Sequence, residues 1–379
     1  MRLPIERNPA CPFDPPAGLR GLPAMSRLEF ADGHLGWLAT SAEAARAVLG
    51  DPRFSARQEL KHAPLFAVRA GAPGEAAPPG FFATTDPPGH TRYRRLLTGQ
   101  FTVRRMRMLE PRVERIAADH LDAMAAAGPP ADLVRAYALP IPSLVICELL
   151  GVPYDDHEFF QDRSMRVVTP DAGGPQAIAD LTSYLGELVR RKRSEPGDDL
   201  ISGLTDELTD QELTNVALIL LVAGHETTAN MLSLGTFALL RQGVRYEEEA
   251  VEELLRWLSI LHVGAPSRSA LEDVEVAGEL VRKGETVALS LPMINRDPEV
   301  FADPDLLRPG RPEARRHLAF GHGVHQCLGQ QLARIELGIG YRALFERFPD
   351  LRLAVPATEV SLKEDAVVYG VRSLPVTWS

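Results

Sequence analysis

The longest apolar stretch of the chain spans roughly residues 210–242. Its centre, Leu220-Leu221-Val222-Ala223, gives way to a polar patch, Gly224-His225-Glu226-Thr227-Thr228. Thr209 and Glu212 read as a capping box at its start, so the stretch predicts one long helix. At ~1.5 Å per residue such a helix crosses most of a domain. Glycine in its interior costs about 1 kcal/mol against alanine, and threonines there can bond back to carbonyls and bend it. A polar patch in that position asks for a reason.

The rest of the pattern is mainly helical with small β elements. Two runs, 26–31 and 34–39, flank Asp32-Gly33 and predict a hairpin. Thr40 and Glu43 read as another capping box, opening a helix that ends near Gly50. Residues 63–82 are rich in Gly, Pro and Ala, show no period and predict a long mobile loop. Pro87-Pro88 starts a helix on which His90 and Arg94 share a face. Residues 110–204 read as helices broken near 128–130, 151–153, 170–175 and 196–197, the break at 170–175 joining two helices expected to form a lid. Residues 247–258 predict an acidic helix, 261–271 an extended segment and 364–378 a hairpin.

The length of 379 residues, with 45% hydrophobic and 24% charged, is ordinary globular composition and allows one large domain or two small ones. A net charge of -10 argues against a nucleic-acid partner. The cysteines, Cys11, Cys147 and Cys327, are odd in number and sparse, so no disulfide framework is implied and a reducing compartment fits. The first residues lack the apolar core of a signal peptide, and the apolar runs fall short of the ~20 residues of a membrane helix. These features predict a soluble, cytoplasmic protein without a membrane association; a monomer is the default.

The stretch from His317 to Gly329, His-Leu-Ala-Phe-Gly-His-Gly-Val-His-Gln-Cys-Leu-Gly, changes the picture. It reads as a glycine-loosened loop that delivers Cys327 to the start of a helix running on as Leu328 to Glu336. Unpaired N–H groups and the helix dipole there favour thiolate, a metal-binding form. Gly321, Gly323 and Gly329 leave room for something bulky and flat against the backbone. Other readings compete. A lone cysteine is commonly a small buried hydrophobe. His322, His325 and Cys327 could bind zinc, but no second pair of ligands stands at finger-like spacing. Gly321-His322-Gly323 opens like a dinucleotide loop and fails at Gln326. His225-Glu226 fails as a zinc-protease motif, because Ala229 stands where its second histidine belongs.

From Phe320 to Gly329 every fixed position of the pattern Phe-Gly-x-Gly-x-His-x-Cys-x-Gly is present, followed by Leu332-Ala333-Arg334. The string resembles the haem-binding signature of the cytochrome P-450 superfamily, the haem-thiolate monooxygenases. The resemblance extends in order along nearly the whole chain and implies a single P-450 domain over 1–379. It would have a β-rich part at about 1–60, a triangular helical body at about 86–260 and a ligand loop at 317–329, the long helix lying over the haem.

The resemblance also assigns roles. Cys327 would be the iron ligand, a thiolate that favours O–O cleavage. Phe320, Gly321, Gly329, Ala333 and Ala223 would surround haem b. His90, Arg94, Arg268 and His325 would hold its propionates. A bulge at Gly224 would make a groove for dioxygen, with Glu226 and Thr227 managing protons. Glu253, Arg256 and Arg311 would form a buried ion network; Arg308 competes with Arg311 for its third place. Val263, Gly264 and Val368, with Ala223, would line the substrate pocket, and the loop at 63–82 would touch substrate. Arg92, Arg95, Arg104, Arg105 and Arg107 make a basic region that fits an acidic ferredoxin or flavodoxin, fed through a reductase by NAD(P)H. The expected activity is hydroxylation or epoxidation of a hydrophobic small molecule, as in natural-product biosynthesis. Oxidative coupling or peroxide-driven oxidation on the same fold is the alternative, and a zinc or thiol hydrolase a remote one.

Overall fold

The computed structural model describes residues 1–65, 74–168, 173–364 and 366–379. Parts of the expected loop at 63–82 and of the break at 170–175 lie outside them. The hairpin forms as predicted: β1 (Met25–Glu29) pairs antiparallel with β2 (Leu35–Ala39) around Asp32-Gly33. Helix α1 (Ala42–Gly50) follows, with its cap one residue later than expected. Ser41 Oγ accepts from the Ala44 N–H at 3.2 Å, whereas Thr40 Oγ1 donates to Pro23 O at 2.9 Å. β3 (Phe54–Ser55) completes this part.

The helical body runs through α2 (Gly89–Gln100), α3 (Val103–Met108) and α4 (Glu110–Ala127). A short strand β4 (Ala131–Asp132) and a π turn at Val134–Ala138 lead to α5 (Pro140–Leu150), α6 (His157–Val168) and α7 (Gly174–Ser194). The ends of α4, α5 and α7 fall just before the Gly and Pro positions predicted to break them, whereas the breaks at 101–102 and Leu109 were not predicted.

The central helix, α8 (Asp210–Gln242), is 33 residues long and carries the full capping box. Thr209 Oγ1 accepts from the Glu212 N–H while Glu212 Oε2 accepts from the Thr209 N–H. Gly243 in the left-handed region closes it. α8 packs on α5, α7 and on α11 (Gln330–Arg347), and these helices share the main apolar core. It is the one helix among the described residues long and apolar enough to span a membrane, and 67% of its apolar window is buried inside the protein. The apolarity therefore belongs to the core. The helix is α-helical through Gly224, so the expected bulge does not form.

After α9 (Ala250–Leu258) come β5 (Ser267–Ala270), a small hairpin of β6 (Val274–Val276) and β7 (Glu279–Val281), then β8 (Thr286–Leu289) and α10 (Leu291–Ile294). The main sheet runs β1-β2-β8-β5-β3, so the N-terminal strands are completed by strands from far along the chain. The C-terminal hairpin turns earlier than expected. Arg372 N–H donates to Ser361 O and Lys363 N–H to Gly370 O. The last strand, β10 (Pro375–Thr377), leaves that hairpin and pairs with β4 and β9 (Arg352–Leu353).

Candidate active site

The loop before α11 is closed by Cys327 N–H donating to Phe320 O at 2.8 Å. Gly321 and Gly323 take φ of 70° and 72°, which a side chain rarely adopts. Side chains at Gly321 or Gly329 would meet open space, so both leave a face free beside the sulfur. Gly323 serves packing instead: a Cβ there would fall 2.4 Å from Leu49 O of α1. The helix begins at Gln330, not Leu328. The N–H groups of Gly329 and Gln330 still point at the sulfur. Burial outweighs those two N–H groups, Arg94 and Arg334 and leaves the Cys327 thiol raised on balance, so in the protein alone the helix start does not by itself favour thiolate as expected. The sulfur is accessible yet walled by protein, as expected for a group facing an internal cavity.

Around this loop gathers an excess of positive charge. The rings of His90 and His325 lie 4.0 Å apart. Burial, then Arg268, His90, Lys61 and Arg94, push His325 down to about 3. Burial, then Arg94 and Arg268, lower His90. Arg268 is lowered to about 10 and Lys61 to about 8, burial leading in both. The nearby acid, Asp86, is engaged by Ser55 Oγ at 2.6 Å and the Ala56 N–H at 2.8 Å. His90 is 2% exposed, and both of its ring nitrogens lack a partner. Unpartnered buried donors among uncompensated cations are costly unless an anion joins them. The two carboxylates of a haem fit that demand. His90, Arg94, Arg268 and His325, expected together from the sequence, do lie together, and Lys61, which belongs to no recognised motif, joins them.

On α8, Val222 and Ala223 are exposed although most of the helix is buried. Thr227 Oγ1 donates to Ala223 O at 2.7 Å, the backward bond that threonine makes in helices. Glu226 stands beside Lys363, which the sequence reading also missed. Val263 is buried, and Val368 is buried and bridged to Leu261. Gly264 does not open on a pocket: a Cβ there would meet Pro64, Ala288 and Leu3 at 3.1–3.4 Å.

Two ion networks brace the loop from behind. Glu253, Arg256 and Arg311 are all buried, and Glu253 Oε1 accepts from Arg256 at 2.7 Å and Arg311 at 3.1 Å. Arg308 supplies its backbone N–H to the same oxygen, so the third side chain is that of Arg311. The second network was not anticipated. Glu252 accepts from Arg334 Nε at 2.5 Å and lies 3.1 Å from His317 Nε2. Arg334 in turn lies 4.6 Å over the Phe320 ring. Within the acidic run at 247–253 the resemblance singled out Glu253, and nothing in the sequence marked Glu252. Ala333 is half-buried one residue before Arg334.

The basic region is partly neutralised. Arg92 pairs with Glu212 at 2.5 Å and Arg105 with Asp198 at 3.3 Å. Arg95, Arg104 and Arg107 remain exposed. Among the described residues no three His, Cys, Asp or Glu side chains converge to hold a metal ion.

A long buried helix, a thiol on a glycine-loosened loop and a cationic cradle fit a haem-thiolate protein. Comparison with known proteins agrees. Residues 240–364 match the family model described as Cytochrome P450. Cytochrome P450 105C1 of a Streptomyces species is 49% identical, covering 97% of this chain and 96% of the relative. Pentalenic acid synthase of Streptomyces avermitilis is 46% identical, covering 100% and 97%. The crystal structure of cytochrome P450 MoxA from Nonomuraea recticatena superposes with a TM-score of 0.91 at 44% identity, covering 100% of this chain and 98% of that one. The chain belongs to the cytochrome P450 family. It is a monooxygenase that uses haem b, dioxygen and electrons passed on from NAD(P)H.

Proposed function

We propose that the chain acts as one domain in which Cys327 would hold the haem iron, hydroxylating or epoxidising a small hydrophobic natural product. Haem b, once bound, supplies the oxygen activation, and the residues described here supply ligation, orientation and proton control. His90, Arg94, Arg268, His325 and Lys61 hold the propionates. Phe320, Gly321, Gly329, Ala333 and Ala223 form the walls of the cofactor site. Glu226 and Thr227 carry protons to the dioxygen side. Val222 and Ala223 are the apolar surface offered to substrate. The relatives named pentalenic acid synthase and vitamin D3 dihydroxylase support a role in secondary metabolism. Arg95, Arg104 and Arg107 receive an acidic ferredoxin-type or flavodoxin-type donor.

The observation that carries this reading is the unpartnered His90 ring inside a cationic cradle beside the Cys327 loop. Its test is optical. Reduced protein with carbon monoxide should give the far-red-shifted Soret band of thiolate ligation, and Cys327→Ser should lose it. A histidine-type spectrum overturns the assignment of Cys327. Thr227→Ala should keep that spectrum but divert NAD(P)H into peroxide; unchanged coupling removes Thr227 from the proton path. Candidate compounds can be screened by the spin shift they induce in the resting enzyme.

A further inference from the structure

The polar patch of α8 has a partner on a distant segment. Lys363 Nζ lies 3.7 Å from Glu226 Oε1, with the two side chains 13% and 20% exposed. Lys363 belongs to the C-terminal hairpin, where its N–H donates to Gly370 O at 2.9 Å. A Cβ on Gly370 would collide with Asn230 Oδ1 at 1.8 Å, so the hairpin reaches the helix only with glycine there. Asn230 Nδ2 in turn donates to Glu226 O at 2.8 Å. Glu226, Asn230, Lys363 and Gly370 thus close one seam between the helix and the hairpin that carries Val368.

A carboxyl buried alone takes up a proton rather than stay charged. Burial does push Glu226 up, and Lys363 and Asn230 oppose it. Burial likewise lowers Lys363, and Glu226 opposes that. Arg372, on the hairpin, is a like charge toward Lys363. His225, on α8 itself, feels Lys363 but bonds to the Leu139 carbonyl. α5 meets this part of α8 through Ile146 and brings no charge to bear on Glu226. On balance Glu226 is raised, and among the described residues Lys363 is the one charge that opposes burial there, beside the neutral amide of Asn230.

We propose that Lys363 is a positioning residue for Glu226: it holds that carboxyl in the seam and favours its ionised form against burial, and so sets the pH range of coupled turnover. The proposal rests on the reading of Glu226 and Thr227 as proton carriers. Each turnover consumes two protons with its two electrons and one dioxygen; Glu226 takes them from the solvent side and passes them inward one at a time. After each transfer it is again a carboxylate with Lys363 still an ammonium, so the pair itself is unchanged.

The test compares wild type with Lys363→Met, which removes the charge at similar volume, and Lys363→Arg, which retains it. Infrared difference spectra of the haem-loaded protein without dioxygen follow the protonated carboxyl band with pH, and Glu226→Gln assigns the band. Lys363→Met should raise the titration midpoint of Glu226 by about one pH unit or more. Lys363→Arg should restore it. Product formed per NAD(P)H, measured with the compound giving the largest spin shift, should move its pH profile the same way, with KM little changed. An identical Glu226 titration in wild type and Lys363→Met overturns the proposal, as does a shifted titration with an unshifted coupling profile. If Met disturbs packing and haem loading, Lys363→Gln serves in its place. A Glu226→Gln enzyme that couples like wild type is a separate outcome; it removes the proton-carrier reading and the role of Lys363 in turnover with it.

Discussion

At the scale of single residues, the site is marked by groups whose needs are not met within the protein. His90 is the clearest. Its ring is buried, neutral at pH 7 because burial and two arginines lower it, and unpartnered at both nitrogens. Such a group destabilises the chain alone and stabilises it once an anion accepts its N–H. His90→Phe should therefore act with opposite signs on the two forms. The apoprotein should gain about 1 kcal/mol of stability in urea unfolding, while haem transfer to apomyoglobin should become about tenfold faster, the effect of one lost hydrogen bond to a charged group. Equal effects on both forms would mean that the ring merely packs. Cys327 shows the same logic in the backbone. Two N–H groups aim at a sulfur that burial alone would keep protonated, a combination that suits a metal better than a proton.

At the scale of elements, α9 is the brace. Neighbouring carboxylates on it face different segments: Glu253 holds Arg256 and Arg311, and Glu252 holds Arg334 and His317. Glu252 thereby ties the first turns of α11 and the start of the ligand loop to one helix, with Arg334 pressed on Phe320. Burial raises the Glu252 carboxyl, but its bonds to His317 and Arg334 outweigh this and bring it to about 2, against an ordinary 4.5. A depressed carboxyl contributes stability that is complete above its unfolded pKa and lost as pH falls through the folded one. The contribution of Glu252 is thus whole above about pH 4.5 and fades toward pH 2. Discounted for partial exposure it is about 2 kcal/mol. Glu252→Gln should lower unfolding stability by that amount at pH 6, and the two curves should converge by pH 2. Parallel curves across this range would show that the carboxylate charge is not what holds the loop.

At the scale of the whole molecule, legibility follows from how far an interaction reaches along the chain. Turns and caps are local, so Asp32-Gly33, the long helix and the ligand loop were readable, with errors of a residue or two at Ser41 and Gln330. The sheet order β1-β2-β8-β5-β3 and the seam between Glu226 and Lys363 join distant segments, and no periodicity reports such pairings. Charge is intermediate. The sequence showed a basic region in a chain of net charge -10, but not that Glu212 and Asp198 would neutralise Arg92 and Arg105. What remains, Arg95, Arg104 and Arg107, is a small exposed cationic face on an otherwise acidic body. Such a face steers an acidic partner mainly through association rate, and salt screens it over about 10 Å at 0.1 M. Arg104→Glu should therefore slow electron transfer from a ferredoxin several-fold at low ionic strength. The gap should shrink as salt rises, and the carbon monoxide spectrum should stay unchanged. Stopped-flow reduction across a salt series measures this, and a defect independent of salt would move the docking site away from α2 and α3.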